Sequence, residues 1–68
     1  MKLIYEKTGK EVQKGDVLTS FRGENYIAHY WREPTHGVGK ISVKRNPEDD
    51  MSCGEYYVTV FDLKWVED

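Results

Sequence analysis

Three features of the sequence predict an all-β fold. Apolar and polar residues alternate with a period of two through most of the chain, and no window of about ten residues sustains a helical repeat. Glycine-containing turn signals also punctuate the alternating segments at short intervals. With 68 residues the chain has room for one core, so a single domain over 1–68 is expected.

The first strand is predicted over 2–7, from Lys2 to Lys7, running into Thr8-Gly9-Lys10, where Gly9 can turn the chain. A short extended piece, Glu11 to Gln13, leads to a second turn at Lys14-Gly15-Asp16. The second strand is predicted over 17–21, with Val17, Thr19 and Phe21 on one face and Leu18, Ser20 and Arg22 on the other. Either face satisfies the alternation. Arg22-Gly23-Glu24-Asn25 then reads as a tight hairpin connection.

The third strand, 26–32, places Tyr26, Ala28, Tyr30 and Arg32 on one side and Ile27, His29 and Trp31 on the other, so rings fall on both. Pro34 lacks an N–H and should end it near Glu33, and Thr35-His36-Gly37-Val38-Gly39 reads as a flexible loop. The fourth strand, 40–45, alternates cleanly, with Ile41 and Val43 inward and Lys40, Ser42 and Lys44 outward. Asn46-Pro47-Glu48-Asp49-Asp50 is a turn whose loop extends through Met51 to Gly54. By composition the strongest strand is 55–61, EYYVTVF, being almost wholly aromatic and β-branched. Asp62-Leu63-Lys64 makes one tight turn before a short terminal strand at 65–66.

Short strands at this spacing fit a five-stranded antiparallel barrel of the SH3-like kind. Closure would bury one face around a shared core, whereas a flat sheet of this size would expose a face and two edges. An OB-fold would call for a longer chain and a helix between its third and fourth strands, for which no segment qualifies.

Composition narrows the function classes. Ten Lys plus Arg against twelve Asp plus Glu give a net charge of −2, which supplies no strong general attraction to nucleic acid or to an anionic membrane. The single cysteine, Cys53, cannot form an internal disulfide, and with His29 and His36 it does not complete a four-ligand zinc site. No apolar run approaches the roughly 20 residues of a membrane helix, and MKLIYEKTGKE lacks the apolar stretch of a secretory signal. A reduced, cytoplasmic protein without cofactor or metal is expected.

Across nearly its full length the chain carries a set of turn and core signatures. They are Thr8-Gly9-Lys10-Glu11-Val12 with Lys14-Gly15-Asp16-Val17, Phe21-Arg22-Gly23-Glu24, Gly39-Lys40-Ile41-Ser42-Val43, and Tyr57-Val58-Thr59-Val60-Phe61 through Trp65-Val66-Glu67. In these it resembles a family of small uncharacterised bacteriophage and prophage proteins. The resemblance implies homology and fold and brings no activity with it; it also implies that a host cytoplasm is the site of action. The chain departs from that pattern at Pro34 to Gly39, where relatives tend to have a Pro/Ser/Thr-rich loop, and at Val58-Thr59, where they tend to have Pro-Ser.

The residue types that carry chemistry form no constellation along the chain. Gly9, Gly15 and Gly23 match no phosphate-binding spacing and precede no helix, so they read as turn glycines. His29 reads as a partly buried strand residue, His36 lies in a loop with no Ser or Cys nucleophile beside it, and Cys53 sits in a polar loop with nothing to lower its pKa. Glu48-Asp49-Asp50 lacks the alternation and closing glutamate of a calcium loop. An enzyme is therefore not expected.

The rings are the remaining signal. Tyr26, Tyr30, Trp31, Tyr56, Tyr57, Phe61 and Trp65 are too many for the interior of so small a barrel, so some must lie outside. The candidate surface combines Tyr30 or Trp31 with Arg22, Arg32, Lys44 and Arg45. Such a surface suits a protein partner, host or viral, for which Tyr, Trp and Arg are the usual anchors. It also suits a single strand of nucleic acid, and exposed rings or strand edges would equally allow weak self-association to a homodimer. The negative net charge ranks protein contact above nucleic-acid contact.

Overall fold

The computed structural model describes residues 1–34 and 39–67. Within these residues, six strands form two antiparallel sheets. In the first, β1 (Lys2–Tyr5) pairs with β6 (Leu63–Val66); in the second, β2 (Val17–Thr19), β3 (Asn25–Arg32), β4 (Lys40–Lys44) and β5 (Gly54–Tyr56) run as a meander. One 3-10 turn, Val58–Phe61, connects β5 to β6. The predicted all-β class holds, with antiparallel pairing throughout.

The stretch between β1 and β2 ties the two sheets together. Val12 donates its N–H to the Leu3 carbonyl at 2.9 Å, and farther along Gly15 N–H reaches the Ala28 carbonyl while Ala28 N–H reaches Asp16, both at 2.8 Å. A segment too short to be a strand in its own right thus satisfies backbone groups of β1 and then of β3.

Between the sheets lies one core of Leu3, Val12, Leu18, Tyr26, Ala28, Ile41, Val43, Val58, Phe61 and Leu63. In β4 Ile41 and Val43 are wholly buried and Lys40 and Lys44 face away, as predicted, whereas Ser42, expected outward, is covered by its neighbours and only 2% exposed. In β2 the structure resolves the choice the sequence left open, because Leu18 and Ser20 are buried while Val17 is 60% exposed. Tyr26, Tyr56 and Phe61 pack mutually with ring centroids 5.8 Å apart for each pair, in tilted and edge-to-face arrangements that aromatic quadrupoles favour. The Tyr26 hydroxyl is pushed above its ordinary pKa, first by its hydrogen bond with Tyr56 and then by burial.

Several predicted boundaries are corrected, each for a local reason. The first strand ends at Tyr5 rather than Lys7, because Tyr5 accepts from Gly9 N–H and donates its own N–H to Lys10, both at 2.8 Å, which starts the turn early. The second ends at Thr19 rather than Phe21. There the buried Ser20 hydroxyl accepts the N–H groups of Arg22 and Glu24 at 3.2 Å, an arrangement that competes with the ladder. The third begins at Asn25, and the fourth ends at Lys44.

The largest correction concerns 55–61. Only Gly54–Tyr56 is strand; Tyr57 remains extended, and Val58–Phe61 winds into the 3-10 turn. Three residues per turn places Val58 and Phe61 on one side, and both are buried, whereas a strand would have put them on opposite faces. β-Propensity measures how well side chains fit a half-buried pleat, and here burial favours the other period. Asp62, at φ 57°, closes the turn alone, so Leu63 is already in β6 and the last strand is 63–66 rather than 65–66.

The loop expected at 35–39 lies, apart from Gly39, outside the described residues, and His36 with it. Among the described residues no helix is long and apolar enough to cross a membrane.

Candidate functional site

The surface that presents rings and charge together is the outer face of β3, β4 and β5, and a single irregularity creates it. Ala28 pairs with Val43, but the next pair is Tyr30 with Ser42, so β3 spends one extra residue, His29, where β4 spends none. This is a β-bulge. Ahead of it Tyr26 and Ala28 point into the core; after it Trp31, opposite Ile41, takes the inward role, and Tyr30 and Arg32 turn outward.

Two rows of side chains result. Tyr30, Ser42 and Glu55 are cross-strand neighbours in the first; Arg32 and Lys40 form the second, which Tyr57 extends because it continues the line of β5. Arg32 Nη2 lies 2.8 Å from Glu55 Oε2 and holds that carboxyl below the ordinary glutamate range; the nearby Lys40 charge and the Ser42 hydroxyl act in the same direction. Lys40 Nζ sits 5.1 Å from the centroid of the Tyr57 ring, a cation–π geometry. Tyr30 is 42% exposed and Tyr57 54%, so the charged pairs lie between two accessible rings.

The bulge also brings in His29. Its ring packs edge-on against Tyr30 at 5.0 Å between centroids, and Nδ1 is 2.7 Å from Ser52 Oγ in the loop before β5. That contact reaches across the sheet and fixes the loop against the same face. It also supplies a Ser–His pair that the sequence concealed, the two residues being 23 positions apart. The thiol of the neighbouring Cys53 is exposed. Among the described residues, no cluster of His, Cys, Asp and Glu is arranged to hold a metal ion.

Of the six residues predicted for a binding surface, Tyr30 and Arg32 fall on this face together. Lys44 shares the face by alternation but lies beyond the bulge opposite Ile27, with Nζ bonded to the Pro47 carbonyl at 3.2 Å. Trp31 packs against the core instead. Arg22 belongs to the β2–β3 turn, with its guanidinium 5.6 Å from the ring of Phe21, and Arg45 lies 5.7 Å from the ring of buried Tyr26 on the other side of the sheet. The predicted stripe is therefore broken up: Tyr30, Arg32 and Lys44 share the outer face, while Trp31, Arg22 and Arg45 lie elsewhere.

Sequence reasoning missed Lys40, Glu55 and Tyr57. For Lys40 the signal was present, since it alternates outward with Ser42. Tyr57 was hidden inside a strand drawn too long.

Fold and surface together define a small all-β domain of two antiparallel sheets bearing a mixed aromatic and charged outer face. No protein-family model matches the chain, and no curated protein or solved structure matches it significantly.

Proposed function

We propose that the protein is a non-enzymatic binding module that contacts a partner protein through the outer face of β3–β5, with Tyr30 and Tyr57 as its anchors. The observation that carries this reading is the pairing of two accessible rings with the Arg32–Glu55 and Lys40–Tyr57 contacts between them. Tyrosine contributes a large contact area with few rotatable bonds and arginine a planar, multidentate charged group, which is why both anchor protein interfaces. An SH3-like barrel is the architecture in which we place this face. It is supported by the pairing of the first strand with the last and by the 3-10 turn before the last strand. The sequence resemblance supports a bacteriophage or prophage accessory role, with a host or viral protein as partner.

Nucleic-acid binding is the second reading, and the placement of Arg22 and Arg45 away from this face weighs against it. Glu55, the carboxylate paired with Arg32 on this face, would also repel a phosphate backbone. The protein reading is tested by replacing Tyr30 or Tyr57 with a photo-crosslinking residue and irradiating in host lysate. A discrete protein adduct from both positions, absent when the crosslinker replaces exposed Glu11, is expected. Adducts only to nucleic acid, or equal adducts from all three positions, would overturn it.

A further inference from the structure

Resting on the protein-binding reading, we infer that the segment this face receives is an extended, acidic stretch of the partner chain. The argument begins with charge. Arg32, Lys40 and Lys44 all project outward from β3 and β4, and among the described residues Glu55 is the carboxylate paired with them there. The face thus carries +2 in a chain of net −2, which leaves −4 for the remainder. A positive patch on a negative protein is complementary to an acidic partner and steers its approach.

Geometry then selects the form of the segment. Lys40 and Lys44 are four residues apart on one strand, roughly 13 Å at the rise of an extended chain. A partner strand lying along β4 would repeat the same spacing, so carboxylates at its first and fifth positions match the two ammonium groups. The third position falls over Ser42, which is buried beneath its neighbours, and beside the exposed ring of Tyr30, where an apolar or aromatic side chain fits. Neither ammonium makes an ion pair among the described residues. Lys40 rests on the Tyr57 ring and Lys44 on a backbone carbonyl, contacts that hold both side chains on the face without neutralising them.

The test is an amide-resolved NMR titration of the full chain with three probes: the capped peptide Glu-Ser-Tyr-Ser-Glu, its reversed counterpart Lys-Ser-Tyr-Ser-Lys, and oligothymidylate. Saturable shifts at Tyr30, Lys40, Ser42, Lys44 and Tyr57 are expected with the acidic peptide alone. The dissociation constant should rise at least tenfold in Lys40→Glu and severalfold in Lys40→Gln, each with shifts elsewhere unchanged. If both peptides shift the same amides equally, the acidic preference is overturned while protein contact stands. Shifts by oligothymidylate alone would overturn both, and acidic-peptide shifts confined to another surface would overturn the assignment of the face.

Discussion

The Tyr5 hydroxyl donates to Asp16 Oδ2 at 2.7 Å, and the same oxygen accepts the N–H of Gln13 at 3.0 Å. Asp16 therefore joins the end of β1 to the turn that leads into β2. Burial, followed by the hydrogen bond and the negative charge of Asp16, pushes the Tyr5 hydroxyl up to about 12. Because the folded value lies above the unfolded one, near 10, the associated stability is complete below about pH 10 and is lost as pH rises through about 12. Tyr5→Phe should cost about 1 kcal/mol at pH 7, as expected for one part-buried hydrogen bond. Urea melts of both proteins at pH 7, 9 and 11 check this: the difference should hold between pH 7 and 9 and shrink by pH 11. A difference that did not change with pH would separate the destabilisation from the phenol proton.

Gly39 marks the place where the chain re-enters the sheet beside the last strand. At φ +68°, a Cβ there would stand 2.8 Å from the Arg32 carbonyl oxygen, 3.0 Å from Trp65 Nε1 and 3.1 Å from the Pro34 nitrogen. Two of the three are backbone atoms that cannot move aside. Gly23, at φ +84°, has open space around it, so Gly23→Ala carries only the conformational cost of about 1–2 kcal/mol. Gly39→Ala should cost at least twice as much and should shift the emission of Trp65. Equal denaturation midpoints for the two variants would contradict the close approach.

How far the sequence reaches is seen at two neighbouring places. The inward and outward roles in β4 were legible because alternation in a regular strand depends on the strand alone. The roles of Tyr30 and Trp31 were not, because a bulge is a relation between two strands and its extra residue can be counted only against the partner. His29 leaves no compositional trace of being that residue. The 3-10 turn failed differently: YYVTVF has the composition of a strand, and only the joint burial of Val58 and Phe61 reveals the period of three. The candidate surface was therefore half legible, with Tyr30 and Arg32 named and their companions Lys40, Glu55 and Tyr57 set by register.

The 3-10 turn predicts opposite costs for two aromatic positions that a continuous strand would place on one face. Phe61 is 4% exposed and packs edge-on against Tyr26 and Tyr56, so Phe61→Ala should cost about 3–5 kcal/mol. Tyr57, more than half exposed, should tolerate Ala at a cost of about 0.5 kcal/mol. Chemical denaturation of the two variants distinguishes the arrangements, since comparable losses would indicate that Tyr57 and Phe61 share an environment.

The Arg32–Glu55 pair links the stability of the face to its charge. With its pKa held down chiefly by the Arg32 hydrogen bond, the Glu55 carboxyl contributes stability that is present above the ordinary glutamate value and lost as pH falls through the lowered one. Side-chain NMR titration should find the Glu55 midpoint below the ordinary glutamate value, returning upward in Arg32→Gln. Both side chains are solvated, so the effect on global stability should be small. The effect on recognition should be larger: Glu55→Gln removes the one carboxylate among three cations and raises the charge of the face from +2 to +3. An acidic peptide should then bind more tightly at low salt, with the gain fading as salt screens it. Weaker binding in Glu55→Gln would mean that the carboxylate is needed to hold Arg32 in place, and that the positioning of Arg32 outweighs its charge.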